Sequence, residues 1–561
     1  LAFFIATLII VFSFFAEFPF WGEFESRFNF IAVDYLIYTF EVVNNINESY
    51  PLPILISCML LITIALVYVV SKLGAFKISF QSNTAISKRL ITSIVCIVIA
   101  IIYAKFIPNR WAEKGSNRYG QELAKSGIYS FFSAFKDNEL SYSDFYLKQP
   151  SDQVFSNLRN ELSEAGATFS PDARSVLRSI KADSNEVRPN VIMITIESFS
   201  AEFMARFGDT KGLTPFLNAL ADSSLLFTNM YSTGTRTVRG MEALTLAVPP
   251  TPGSSIVRRQ DNGGLFSVGS IFKAKGYDRT FFYGGDGYFD NMNHYFSGNG
   301  FDIVDKGSKI IPGDEIVTKR TVIPDSAIHF TNAWGIADED LYNAVIRDAD
   351  AKHSQGRLFF NFVMTTSNHK PFTYPEGKVD IPSGQGRDGA VKYTDYAIKQ
   401  FINSIKNKPW FNNTVIVLVA DHCANSAGVN EVEIEKYHIP CIVYNLKNVS
   451  PAVISPLCSQ LDLYPTLFKM LGWSYESRLF GKDVLEPNFE PRTFVSTYQK
   501  LGFLQNDTLI LLSPLQKTDC LLWDSKTGKQ TAVPMNQNLL NKAVANYQGA
   551  YELFKSGKMK E

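Results

Sequence analysis

Three separated stretches carry side chains that could hold a divalent cation and attack a phosphate. Val191–Ser200 (VIMITIESFS) is an apolar run closed by Glu197, and Thr414–Ser426 (TVIVLVADHCANS) is another, closed by Asp421 and His422. Carboxylate oxygens with an imidazole suit a hard or borderline divalent cation. Between them lies Ser232–Gly240 (STGTRTVRG), a threonine-rich loop that leads into a helix expected at Gly240–Ala247. A threonine hydroxyl is a weak nucleophile at neutral pH. Coordination to a cation activates it, and a following helix N-terminus favours a bound phosphate. Thr237 stands nearest that helix, with Arg236 and Arg239 beside it to attract an anion, while Thr233 and Thr235 compete for the same role.

Such residues meet only if the elements before them share a sheet. Strands are expected at Val191–Ile196, Arg279–Tyr283, Leu358–Met364 and Thr414–Val419. Helices are expected at Thr214–Ser224, Leu265–Lys275, Glu339–His353 and Tyr393–Asn407. This alternation predicts an α/β fold with a mainly parallel sheet between helices. In an open parallel sheet, ligands sit at the carboxyl ends of the strands. Four strand ends carry chemistry there: Glu197, Asp286 (after Tyr283-Gly284-Gly285), His369 (in Ser367-Asn368-His369-Lys370-Pro371) and Asp421-His422. Taken singly, each suits a chain entering solvent; their convergence on one edge predicts a site. His294, His329, His353 and His438 read as loop or packing residues. From about Pro487, short alternating runs at Thr493–Thr497 and Thr508–Leu512 predict a small antiparallel sheet, with a final helix near Leu539–Phe554.

At 561 residues the chain exceeds one ordinary core. It is read as a transmembrane region (1–108), a helical juxtamembrane connector (109–188), a catalytic domain (189–486) and a C-terminal α+β subdomain (487–561). In the connector, Gln121–Phe135 has helical spacing and Asp137–Asp144 is turn-rich. Leu1–Phe15, Pro51–Val70 and Ile91–Ile107 are apolar enough to span a bilayer, which takes about 20 residues each. The first begins without an initiator Met, so an upstream portion is expected. Lys72, Lys77, Lys88 and Arg89 lie between the second and third spans, which places that loop in the cytoplasm and everything after about Pro108 outside. Formal net charge is +0 and no basic stripe is present, which argues against a nucleic-acid partner. Cys58 and Cys96 fall within spans; Cys423, Cys441, Cys458 and Cys520 face an oxidising compartment, where a disulfide can form.

The ordered set NVIMITIES, Thr235-Arg236-Thr237, TTSNHKPF, VLVADH and YHIPCIVY resembles the sulfatase/alkaline phosphatase superfamily. It is most similar to the membrane-anchored branch of lipoteichoic acid synthase-like phosphoglycerol transferases. The resemblance covers most of the chain. It implies a metal, Mn2+ foremost with Mg2+ or Zn2+ as alternatives, held by Glu197, Thr237, Asp421 and His422. Thr237 would be the nucleophile that carries a covalent phospho-intermediate, with His369 and Asp286 in the substrate pocket. The implied donor is phosphatidylglycerol or a similar phospholipid, and the acceptor a glycan, glycolipid or glycerol phosphate chain. The implied setting is a bacterial cytoplasmic membrane crossed several times, about two further spans lying upstream. Two departures stand out. The Thr235–Arg239 stretch lacks the Cys/Ser-x-Pro-x-Arg context of true sulfatases. The pocket stretch Gly284–Met292 lacks the His, and the Trp-x-Arg, of lipoteichoic acid synthases. A phosphoethanolamine transferase and a hydrolase of the same superfamily are the competing enzymes, and a non-catalytic membrane protein is the competing non-enzyme.

Overall fold

Asn190–Ile196 (NVIMITI) is buried at all seven positions and pairs on both sides, which is why its apolar run does not alternate. The computed structural model describes residues 1–37, 39–107, 109–112, 117–136, 140–307 and 316–561. In it this strand, β1, lies inside a ten-stranded sheet. β2 (Leu225–Tyr231), β3 (Tyr277–Tyr283), β4 (Asp302–Asp305), β5 (Arg320–Val322), β6 (Leu358–Met364), β7 (Thr414–Ala420), β8 (His438–Tyr444) and β9 (Ala452–Ile454) follow along the chain. Their spatial order is β9-β2-β8-β7-β1-β6-β3-β4-β5, and the short strand Cys458–Ser459 also pairs with β2.

Register places the site. β7 pairs with β1 in parallel from Thr414↔Asn190 to Ala420↔Ile196, and β6 aligns Met364 with Thr195 on one side and Tyr283 on the other. Glu197, Thr365, Gly284 and Asp421 therefore all leave the sheet at one edge. β8 runs antiparallel to both β7 and β2, so β2 points the same way as β7, and Ser232–Thr237 emerges at that edge too. The sheet is thus mixed, with one reversed strand among mostly parallel neighbours. Parallel neighbours need crossover segments, here including the helices Asp338–Ser354 and Arg387–Ile405. The second of these begins six residues before the expected Tyr393.

Leu1–Asn138 with Ala427–Glu431 forms one compact unit, and Glu139–Ser426 with Val432–Glu561 a second. Three helices of the first unit, Ala2–Phe24, Leu52–Lys72 and Ile86–Phe106, are long and apolar enough to cross a membrane. Their apolar side chains are largely exposed, among them Ile10, Leu61, Ile64 and Ile99, which suits a lipid surround. The helical spacing of Gln121–Phe135 falls on two helices, Arg118–Ala124 and Gly127–Lys136. The expected turn at Asp137–Asp144 starts in residues 137–139, outside the described residues. In the second unit, the helix Ser151–Glu161 buries Val154 and Leu158, and Leu158 packs close to Gly549 of the terminal helix Gln537–Lys555. Residues 151–161, part of the stretch read as connector, thus belong to the core of this unit. The tail forms the expected antiparallel sheet, five strands from Arg492–Ser496 to Gln530–Ala532. All six cysteines are free.

Candidate active site and metal centre

Glu197, Asp421 and His422 each leave a buried strand, and their ligand atoms all lie within 4.8 Å of one another. The backbone between them is tightly tied. Asp421 Oδ1 accepts hydrogen bonds from the N–H groups of Ser198 (2.8 Å) and His422 (2.7 Å). Ser198 sits at φ 49°, a left-handed conformation that is costly for a non-glycine residue and persists only where its surroundings hold it. Its carbonyl, and that of Glu197, accept from Asn368 Nδ2 at 3.1 and 3.0 Å, and Thr365 Oγ1 accepts the Glu197 N–H at 3.0 Å.

These residues fit a cation. Asp421 Oδ2 is buried with no hydrogen bond of ordinary length reaching it, an expensive state for a carboxylate oxygen. Burial pushes the Asp421 carboxyl up to about 7, against the opposing pull of the Ser198 and His422 N–H groups. Burial, and then the Asp421 charge, raise Glu197 as well. Two such carboxylates side by side need a positive charge to ionise together. With Nδ1–H donating to the Cys423 carbonyl at 2.7 Å, His422 turns the Nε2 lone pair towards Glu197 (3.9 Å) and Asp421 (3.5 Å). That is the tautomer a metal ligand requires. Burial lowers the pKa of His422, keeping it neutral.

Thr237 completes the group, its Oγ1 lying 3.3 Å from Glu197 Oε2. The helix expected at Gly240 begins three residues earlier, at Thr237 itself (Thr237–Leu246), with Arg236 as N-cap. The hydroxyl therefore stands on the first helical turn, where unpaired N–H groups favour an anion. Gly240 lets this helix reach the cluster: a Cβ there would lie 2.5 Å from the Asp421 carbonyl oxygen and 2.8 Å from its Cα. Gly240→Ala is expected to push the helix off the strand end, with overpacking costing about 1–3 kcal/mol and Mn2+ affinity falling about tenfold. Thermal melting and calorimetric titration with Mn2+ check this. No change in either would mean that the helix shifts without disturbing the cluster.

Two supports carried no sequence signal. Gln460, fully buried, donates from Nε2 to the carbonyls of Ala420 and Asp421 (2.8 Å each) and accepts the Thr233 N–H at 3.1 Å. One amide thus ties the threonine loop to the Asp421 strand. Asp338 accepts the N–H groups of Thr366 and Ser367, both at 3.1 Å, and so fixes the turn that leads to His369. Asn368, noted in sequence only as part of a motif, ties that turn to Glu197.

The other expected residues divide. His369 is half-buried, stacked on Trp334 (centroids 3.7 Å, 30°), and its pKa is lowered by burial, with the Glu197 charge opposing. Arg236 lies near enough for its charge to disfavour protonation of His422. Asp286 lies on the loop after β3, its Oδ1 accepting the Tyr288 N–H at 3.1 Å and facing Arg320 at 3.7 Å. Arg239 does not face the cluster, a correction to its expected place beside the anion. Its guanidinium is buried against both oxygens of Glu242 (3.1 Å each) and the carbonyls of Thr251 and Gly253. Successive helical residues are turned by about 100°, so Arg239 points nearly opposite to Thr237. His438 is a packing residue, stacked on Tyr231 and bonded to the Thr228 carbonyl at 3.0 Å.

The profile of the Sulfatase family matches residues 189–473, the segment that builds this edge. Lipoteichoic acid synthase 2 of Bacillus subtilis (strain 168) is 26% identical over 369 residues, 61% of this chain and 52% of the relative. Phosphoglycerol transferase I of Xanthomonas euvesicatoria pv. vesicatoria (strain 85-10) is 25% identical over 335 residues, 56% of this chain and 45% of the relative. The chain thus spans about half the length of the curated relatives it matches. Among solved structures, a protein of the alkaline phosphatase superfamily from Vibrio parahaemolyticus superposes with a TM-score of 0.67 at 30% identity, covering 75% of this chain and 100% of that one. The lipoteichoic acid synthase LtaP from Listeria monocytogenes shares the fold, with a TM-score of 0.55 at 16% identity, over 72% of this chain and 98% of that one.

Proposed function

This chain belongs to the sulfatase family, and from that premise we propose that it is a membrane-bound transferase of phosphoglycerol groups. The observation that carries the reading is the convergence of Thr237 on the Glu197–Asp421–His422 cluster. The donor is phosphatidylglycerol or a related phospholipid, and the acceptor a hydroxyl on an extracytoplasmic glycan, glycolipid or glycerol phosphate chain. The relatives named as a lipoteichoic acid synthase and a phosphoglycerol transferase support this choice. The three apolar helices anchor the enzyme in a bacterial cytoplasmic membrane, and the basic loop at Lys72–Arg89 orients the catalytic unit outward.

Glu197, Asp421, His422 and Thr237 would hold the divalent ion, Mn2+ being the favoured one. When bound, it supplies charge neutralisation and favours the deprotonated threonine. In the first step, Thr237 Oγ bonds to the donor phosphorus. The phosphorus–oxygen bond to diacylglycerol breaks, and the diacylglycerol oxygen takes up the proton that Thr237 gave up. Thr237 then carries phosphoglycerol as a phosphodiester. In the second, an acceptor hydroxyl bonds to the phosphorus, and Thr237 leaves with the acceptor's proton. Arg236 and the N–H groups of the first helical turn offset charge on the phosphate oxygens. His369, its Nδ1 within 3.2 Å of the Lys370 carbonyl, lines the pocket.

The test uses purified protein with Mn2+ and vesicles of phosphatidylglycerol or phosphatidylethanolamine, followed by peptide mapping of Ser232–Thr237. A phosphoglycerol adduct on Thr237 is the expected result. A phosphoethanolamine adduct would keep the two-step chemistry and replace the donor. Unchanged lipid with Mn2+ bound would overturn transfer from these donors and favour hydrolysis of another ester.

A further inference from the structure

Trp334 lies in a stretch without a motif, yet the fold brings it to the catalytic edge. It sits in the turn of a short hairpin, residues 331–336, which pairs Thr331 with Ile336 and Asn332 with Gly335. Asn332 closes that turn, its Oδ1 accepting the N–H groups of Trp334 (2.9 Å) and Gly335 (3.2 Å). The hairpin is held on two sides. Towards the loop after β3, the Ile336 N–H donates to the Gly284 carbonyl at 2.9 Å. A Cβ on Gly285 would lie 2.5 Å from the Trp334 carbonyl oxygen, so only glycine lets the two backbones touch there. Towards the loop after β6, Asn332 Nδ2 donates to Thr373 Oγ1 at 3.1 Å.

From this frame the indole covers His369. The two rings stack with centroids 3.7 Å apart at 30°, and Phe289 meets the indole edge-on at 5.3 Å and 82°. Trp334 is buried, whereas His369 is only half-buried. The Lys370 carbonyl accepts the indole N–H, and His369 Nδ1 lies 3.2 Å from the same oxygen. A carbonyl oxygen has two lone pairs and no proton to give. Nδ1 therefore carries the proton in that contact, and Nε2 is the nitrogen left to meet a substrate. His369 directly follows Asn368, whose side chain donates to the carbonyls of Glu197 and Ser198. The imidazole so fixed stands one residue from a direct tie to the proposed metal centre. A ring stack and a shared carbonyl remove its rotational freedom before the substrate arrives, which is what a group working at a set distance needs.

We propose that Trp334 is a positioning residue, which holds the His369 imidazole in one orientation and tautomer towards the phosphoester from a hairpin tied to both pocket loops. This rests on the phosphotransferase reading and deepens it by naming what holds the pocket histidine.

The test compares wild type, Trp334→Phe and Trp334→Leu as full chains in detergent with Mn2+. Phenylalanine keeps an aromatic face and loses the N–H. Leucine keeps apolar bulk and loses both; phenylalanine serves if the leucine variant melts early. Diethyl pyrocarbonate, which modifies neutral imidazole, is followed at each histidine by peptide mapping. His369 is expected to react about fivefold faster in Trp334→Leu and about twofold faster in Trp334→Phe, with the exposed His329 unchanged. Phosphoglycerol transfer by Trp334→Leu is expected to fall about tenfold. In a His369→Gln background the same substitution should change transfer by less than about twofold, because its effect runs through the missing imidazole. His369 reacting at the wild-type rate in a folded Trp334→Leu variant would overturn the assignment. So would an equal loss of transfer in both backgrounds, or a matching rise at His329, since either marks a general loosening of the fold. If wild type moves no phosphoglycerol, faster modification confined to His369 would sustain the hold on the imidazole and overturn the donor alone.

Discussion

Thr237→Ala is expected to lower phosphoglycerol transfer at least about a thousand-fold, because the variant lacks the hydroxyl proposed to carry the phosphodiester. Two other hydroxyls of the loop are committed elsewhere. Ser232 Oγ donates to the Gly234 carbonyl at 3.0 Å, and Thr233 is buried with its Oγ1 directed at the Arg239 carbonyl, 3.4 Å away. The Thr237 hydroxyl meets the carboxylate cluster, 3.3 Å from Glu197 Oε2. Removing one hydroxyl from the first turn of a helix leaves the core intact, so melting temperature in the metal-free state should stay within a few degrees. Quantifying labelled headgroup transfer beside a melting curve checks both halves. Retention of more than about a tenth of wild-type activity would mean that Thr237 is not the nucleophile.

Asp421→Asn has the second largest expected effect, and its sign depends on the metal. The asparagine oxygen can still accept the N–H groups of Ser198 and His422, so the backbone turn persists while a buried charge disappears. In the metal-free protein, burial holds the Asp421 carboxyl up to about 7, from an ordinary value of 3.8. Between those values the unfolded chain has released this proton and the folded chain still binds it. The fold accordingly loses stability as pH climbs through that window and does not regain it above. The asparagine amide cannot ionise, so the variant should melt higher than metal-free wild type at about pH 8, with the gap closing towards about pH 4. Added Mn2+ should reverse the ranking. At about a hundredfold excess over Kd, wild type gains about 2.7 kcal/mol, a shift of a few degrees, and the variant little of it. Transfer should fall at least about a hundredfold. Melting curves at about pH 5 and about pH 8, with and without Mn2+, separate these effects. Equal Mn2+ stabilisation of both proteins would remove Asp421 from the ligand set.

Much of the sheet is legible along the chain because its central strands are buried on both faces. Leu358–Met364 and Thr414–Ala420 admit few polar residues, so each begins and stops sharply, and the first polar side chains after them fall at the carboxyl edge. Glu197, Asp421 and His422 could be named for that reason. Thr237 could be named only as the best of three threonines, because its status depends on where the helix begins. That start lies three residues before the expected one, and Gly240 leaves room for the Asp421 backbone beside the helix.

What the sequence by itself determined is local: alternation of strand and helix, three apolar spans, and the side chains placed where strands end. Such features follow from burial and periodicity within one stretch of chain. What only the tertiary structure decided is which of the remaining polar groups share a volume. Arg236 and Arg239 look equivalent in sequence, yet Arg236 is the extended N-cap, its charge felt at His422, while Arg239 lies within the helix and is buried against Glu242. Gln460 lies in a stretch without a motif and reaches the Asp421 strand end from the short helical turn Gln460–Asp462. Long-range packing sets those distances, and a hydrogen bond or ion pair exists only when they fall within about 3–4 Å.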